Sequence, residues 1–229
     1  MEFQEAMRSK ASLCVNLLLL AVVGQGLYRC SQIQLPPSLA SAGHRQFLTN
    51  ISAAVTLVNS LSNVFHFVVQ SAVSRLWARH FTLPIALVLE SVVASVYWPL
   101  RLFAMHLILQ QPPVPGHSPI PLSVDLSIHL APVVGLLVDH YWTGQGEKFR
   151  VSYKVAWLVV LVLGYGYKSW LELLIKPPAA YPYPFLNVEE PKRTVIFCTV
   201  TSFSMVYYIL YQRHPPRRGL APRSGIKSN

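Results

Sequence analysis

The chain has 229 residues, 52% hydrophobic and only 12% charged, with a net charge of +10. Its apolar residues gather into runs of about 20, the length that crosses a bilayer as a helix, which excludes an ordinary soluble domain. The basic residues stand at the ends of those runs and in the C-terminal tail, with no basic helix face and no aromatic-basic interleaving, so they report membrane topology rather than nucleic-acid binding.

The sequence predicts an all-α bundle of six transmembrane helices over residues 1–212, followed by a basic, disordered tail over 213–229. The first span, 11–28, follows Arg8 and Lys10 as a signal peptide would. Its apolar core is longer than a leader's and no small-residue cleavage site follows, so it is read as retained. The second, 47–73, carries Thr49, Ser52, Thr56, Asn59, Asn63, His66 and Gln70 at alternating spacings of three and four, which puts them on one helical stripe facing protein or a wet cavity. The third, 83–100, holds Glu90 and ends in Tyr97, Trp98 and Arg101, read as an interfacial aromatic belt with a snorkelling arginine. A proline-rich loop over 110–121 leads to the fourth span, 121–139, which places Asp125 and His129 one turn apart ahead of Pro132. The fifth, 151–175, has Lys168 and Glu172 as a local ion pair, with Gly164 and Gly166 permitting close helix approach. A proline and tyrosine loop precedes the sixth, 194–211. Cys14, Cys30 and Cys198 show no metal-ligand spacing and are read as membrane-embedded thiols.

With the N-terminus in the cytosol, the inner loops and termini hold twelve Lys and Arg against five outside, which favours both termini cytosolic. The second and fourth helices then both begin on the outer or lumenal side, so Thr49 and His129 share one half of the membrane.

Ionisable side chains at bilayer depth are costly and mark functional sites by default. A threonine hydroxyl becomes a nucleophile when a neighbouring base takes its proton, and neutral His is the usual base. Near a helix start, the free N–H groups of the first turn suit a developing oxyanion. Asp125, four residues before His129, shares its face and is placed to orient the imidazole. Pro132 lacks an N–H, which frees the Ile128 carbonyl. Asn50 and Glu90 are further supporting candidates. Each residue also has an ordinary reading. Thr49 can cap its helix, His129 can bond within a polar helix interface, the stripe can act as helix-helix glue, and Glu90 can pair with a basic group or belong to a proton path. Asn50-Ile51-Ser52 fits a glycosylation sequon too close to the membrane to be used.

The segments RQFLTNI at 45–51, the aromatic and Pro-bearing third span from Phe81 to Pro99, DLSIHLAP at 125–132, Asp139, and YPFL at 183–186 resemble the androgen-induced and androgen-dependent, tissue-factor-pathway-inhibitor-regulating proteins, which are multi-pass membrane threonine hydrolases with fungal relatives. The resemblance covers residues 10–211. It implies hydrolysis of lipid esters, in particular fatty-acid esters of hydroxy fatty acids, with Thr49 as nucleophile and His129 as its essential partner. The chain departs from the family's pattern at Asp125, where animal relatives carry Asn, and in a shorter His to Pro spacing.

Together these point to a six-helix membrane hydrolase that takes a lipid ester from the bilayer and needs no cofactor, in the endoplasmic reticulum or another endomembrane. Three rivals stand beside it. A metal-dependent hydrolase would use His66, His106, His129 and Asp125, a proton-coupled transporter would use the stripe with Glu90 and His129, and a regulatory membrane protein would have no catalysis.

Overall fold

A computed structural model describes residues 2–110, 120–143 and 145–216. Most of the proline-rich loop and the tail from residue 217 lie outside the described residues. The described chain is helical, with no strand among the described residues. In order it forms α1 (Glu2–Ser31), a short α2 (Pro37–Ala40), α3 (Leu48–Val69), a short α4 (Ala72–Arg75) running through a π-helical segment (Leu76–Thr82) into α5 (Leu83–Phe103), then α6 (Leu122–His129), α7 (Ala131–Tyr141), α8 (Tyr153–Leu174) and α9 (Lys192–Arg213). Six helical stretches are long and apolar enough to span a bilayer: Ser9–Ser31, Leu48–Val69, Ala72–Phe103, Leu122–Tyr141, Tyr153–Leu174 and Lys192–Arg213.

Three of them differ from the sequence reading. The second ends at Val69 rather than at residue 73, because Gln70 turns left-handed. The third stretch starts at Ala72 rather than at residue 83, because Arg79 is not a solvated loop charge. It is buried against Asp139, with Nη1 to Oδ2 at 2.5 Å, and Ser12 Oγ donates to the same carboxylate at 2.6 Å. A guanidinium held in that way lets the helix continue through a charged segment. The fourth stretch breaks at Leu130 (φ −120°, ψ −50°) into α6 and α7. Pro132 has no N–H for the Ile128 carbonyl and its ring crowds that turn, so the chain yields at Leu130 and Pro132 sits in the first turn of α7.

The bundle is organised around α1, α3 and α5, with α6 and α7 packed on α1. Leu19, Val23, Leu83, Leu87, Leu136 and Met205 form its apolar core. Gly26 and Gly135 allow the close packing on α1. A Cβ at Gly26 would lie 2.6 Å from Ser127 Cβ, and one at Gly135 2.5 Å from Leu19 Cδ2. Gly164 likewise brings α8 onto α9 at Thr201, whereas Gly166 faces open space.

On α3 the stripe is the inward face from Thr49 to Asn63, whereas His66 is half-buried and Gln70 exposed, so the sequence reading carries it too far. Thr49, Ser52, Thr56, Asn59 and Asn63 are buried, while Val58, Leu61, Phe65 and Val68 on the opposite side are exposed, the pattern of a helix with lipid on one side and polar partners on the other. Gln70 ends the helix in the left-handed region (φ 51°). α8 is the most peripheral span; of its residues only Ala156 and Leu171 are buried.

Candidate active site

The start of α3 is fixed by the loop in front of it. Gly43 turns the chain with φ +64°, and the buried Gln46 side chain donates to the carbonyls of Leu39 and Gly43, both at 2.9 Å. Tyr167 Oη and Trp170 Nε1 of α8 donate to the carbonyls of Gln46 and Arg45. Asn50 donates to the His44 carbonyl at 2.9 Å and accepts from Cys30 Sγ, so it pins this loop and does not reach the dyad. The chain enters α3 at Phe47 with extended backbone and no side-chain cap, which leaves the Thr49 hydroxyl free for another partner.

That partner is His129. Thr49 Oγ1 and His129 Nε2 are 3.3 Å apart, at the long end of a hydrogen bond, and both residues are buried. His129 is the last residue of α6, directly before the break at Leu130. Asp125 Oδ1 is 2.8 Å from its Nδ1. Nδ1 is also 3.2 Å from the Asp125 backbone carbonyl, so both acceptors on that residue hold a proton on Nδ1. Nε2 then presents its lone pair to the threonine hydroxyl, the order of a nucleophile, a base and an orienting acid.

Three residues of α5 that the sequence placed at the membrane interface instead enclose this imidazole. The Tyr97 ring stacks on that of His129, with centroids 3.5 Å apart and planes 6° from parallel, and its hydroxyl donates to Asp125 Oδ1 at 2.5 Å. Arg101 Nε lies 2.5 Å from Asp125 Oδ2. Trp98 Nε1 donates to the His129 carbonyl at 3.3 Å. Tyr97 and Arg101 are four residues apart and seven and eleven beyond Glu90, so one face of α5 carries all three. That shared face was the one hint in the sequence, and it does not say whether the polar tips meet water or a buried carboxylate.

Above the dyad, the loop before α9 folds over as a cover. The Tyr183 ring stacks on Phe185 and meets Phe47 edge to face at 6.0 Å. Burial pushes the Tyr183 phenol above the usual tyrosine range, opposed by the Thr49 hydroxyl and the backbone of Leu48 and Thr49 beside its oxygen. Tyr183 lines the same cavity as Leu48 and Thr49, at the first turn of α3.

Thr49 also lies on the wall of a cavity of about 230 Å³ that runs between α5, α8 and α9 and is lined almost wholly by apolar side chains, among them Pro84, Val88, Val96, Val159 and Val200. From Pro84 to Tyr97 it follows α5 for about 20 Å, at roughly 1.5 Å of rise per residue.

Glu90 is fully buried but stands lower in the bundle, accepting from Thr56 Oγ1 at 2.9 Å, and is not brought to the dyad. His66 bonds Ser74 Oγ, and among the described residues no group of three or more His, Cys, Asp or Glu side chains is arranged to hold a metal ion. Lys168 and Glu172 pair at 2.5 Å on an exposed helix face.

The profile of the FAR-17a/AIG1-like protein family matches residues 11–215. UPF0641 membrane protein YHR140W of Saccharomyces cerevisiae is 42% identical over 220 residues, covering 91% of this chain and 92% of that protein. UPF0641 membrane protein PJ4664.05 of Schizosaccharomyces pombe is 31% identical over 186 residues, covering 79% and 80%. No solved structure matches the chain.

Proposed function

From the premise that the chain belongs to the FAR-17a/AIG1-like family of membrane proteins, we propose that it is a membrane-embedded hydrolase of lipid esters with Thr49 as nucleophile and His129 as base. The observation that carries this reading is the line from Thr49 Oγ1 through His129 to Asp125, buried at one end of a long apolar cavity. A hydroxyl, a base and an orienting carboxylate in hydrogen-bonding sequence are the parts that acyl transfer needs.

The substrate's acyl chain lies in the cavity between α5, α8 and α9, with its ester carbonyl at Thr49. Thr49 Oγ attacks the carbonyl carbon while Nε2 of His129 takes the hydroxyl proton, and the imidazolium is stabilised by Asp125. The oxyanion forms beside the uncapped first turn of α3, with the Tyr183 phenol on the same cavity wall as a further donor. His129 then returns the proton to the departing alkoxide, leaving an acyl-Thr49 ester that water hydrolyses. For fatty-acid esters of hydroxy fatty acids, the substrates that the resemblance names, both products are fatty acids. The apolar cavity suits such chains, and the basic loop distribution supports cytosolic termini; we assign the protein to an endomembrane such as the endoplasmic reticulum.

The test is covalent labelling of the purified protein with a fluorophosphonate probe. Wild type is expected to label at Thr49, and Thr49→Ala and His129→Ala to lose labelling. A folded wild type that does not label, or variants that label equally well, would sink the reading.

A further inference from the structure

Below the dyad runs a buried polar column for which the steps above have no use. Ser52, Thr56, Asn59, Ser60 and Asn63 of α3 are all buried, as are Glu90 and Thr82 on the chain opposite and Asn16 of α1. Ser52 Oγ donates to the carbonyl of Thr49 at 3.0 Å, and one turn further on the Glu90 carboxyl accepts from Thr56 Oγ1 at 2.9 Å. Further down, Asn59 Oδ1 accepts from Thr82 Oγ1 at 2.9 Å and from Asn63 Nδ2 at 3.3 Å. Asn63 in turn is in the wall of a polar cavity of about 660 Å³ at the opposite end of the bundle, which His66, Arg79 and Arg150 also line.

Among the described residues, five buried side-chain atoms of this column have no protein partner: Asn16 Oδ1, Asn59 Nδ2, Ser60 Oγ, Asn63 Oδ1 and Glu90 Oε2. They include donors and acceptors. Polar glue between helices would pair such groups with each other. Buried polar groups that the protein does not pair are ordinarily met by ordered water, each making about three hydrogen bonds. The other approaches to Thr49 are drier. One is the apolar cavity and another the Tyr183–Phe185 cover, where among the described residues the Tyr183 phenol and the Arg101–Asp125 pair are polar.

We propose that this column carries water from the polar cavity to acyl-Thr49, so that ester enters from the lipid side and water from the opposite end of the bundle. The inference rests on the hydrolase reading. In deacylation the water oxygen bonds to the acyl carbon and the bond from that carbon to Thr49 Oγ breaks. One water proton passes through Nε2 of His129 to Thr49 Oγ, and the other leaves with the carboxylic acid.

The experiment uses the full chain in lipid nanodiscs with p-nitrophenyl palmitate. Asn63→Leu plugs the column at its mouth, Thr56→Val removes a hydroxyl halfway up, and Thr56→Ser keeps it. The two blocking variants are expected to label with fluorophosphonate and release the first p-nitrophenolate within about twofold of wild type, while steady turnover falls about tenfold or more and acyl-Thr49 accumulates in the intact mass spectrum. Thr56→Ser should turn over like wild type. Octanol, reaching Thr49 through the apolar cavity, should discharge the trapped acyl group as an octyl ester. Turnover unchanged in both blocking variants, or acylation and turnover falling by the same factor, overturns the water route while leaving the dyad in place. A wild type that neither labels nor releases p-nitrophenolate removes the hydrolase reading itself.

Discussion

Asp125→Asn is a small change with a measurable expected effect, because the carboxylate serves three donors at once. Oδ1 accepts from Tyr97 and faces His129 Nδ1, and Oδ2 faces Arg101. An amide has one oxygen for these donors. With that oxygen kept toward His129 and Tyr97, its NH2 group confronts the guanidinium, donor against donor. Turned the other way, its oxygen makes a charge-assisted bond to Arg101 and its NH2 faces Nδ1. That favours the ring proton on Nε2, where it meets Thr49 as a donor and cannot act as base, although the Asp125 backbone carbonyl, 3.2 Å from Nδ1, still accepts from an Nδ1 proton. The charge-assisted bond favours the second orientation by about 2 kcal/mol, the backbone hydrogen bond given up offsets about 1 kcal/mol of it, and the base-competent tautomer drops roughly 5-fold. The fluorophosphonate labelling rate should fall by that factor. In Asp125→Asn combined with Arg101→Met the amide oxygen has no reason to turn, and most of the rate should return. A single variant that labels at the wild-type rate, or a double variant no faster than the single, would refute the assignment of Asp125 as the group that sets the imidazole tautomer. The same logic accommodates the Asn that the resemblance places here in animal relatives, provided no arginine competes for it.

Asp139→Asn leaves the buried Arg79 without its counter-charge and should cost about 3–5 kcal/mol, whereas Arg79→Met with Asp139→Leu should be close to neutral, as thermal unfolding in detergent would show. Equal losses in both would contradict a desolvated ion pair. Tyr183→Phe removes one donor at the oxyanion and should slow labelling roughly 10- to 100-fold. Since burial raises the folded pKa of Tyr183, its stabilising contribution is complete below the unfolded value of about 10 and is lost as pH rises through the folded one. The phenylalanine variant should therefore lose less stability than wild type between pH 8 and pH 11; parallel losses would show that the phenol is not desolvated.

The all-helical fold and its six membrane-crossing stretches were legible in the sequence because apolar run length is set by bilayer thickness. The inward face of α3 was legible as well, since a spacing of three and four admits one geometry. The aromatic residues Tyr97 and Trp98 were misread for a physical reason. An aromatic near a helix end satisfies the interfacial pattern whether its polar tip meets water or a buried carboxylate, and periodicity does not separate the two. Arg79 shows the same ambiguity, as a charge beside an apolar run reads as a loop until its partner, here sixty residues away in Asp139, is known. The sequence set Thr49 about two turns shallower than His129. In the structure they meet, because α3 begins only after a folded loop, with Thr49 in its first turn, while α6 ends at His129.

The peripheral position of α8 has a consequence for how such proteins diversify. Val155, Val159, Leu163 and Tyr167 of α8 line the apolar cavity, while the dyad and the polar column belong to α1, α3, the π-helical segment, α5 and α6. Exchanging one aliphatic residue for another along α8 reshapes the cavity and disturbs no buried hydrogen bond of the column. Selection can therefore retune what the cavity accommodates, residue by residue on one helix, while the chemistry stays under a separate and much stricter constraint.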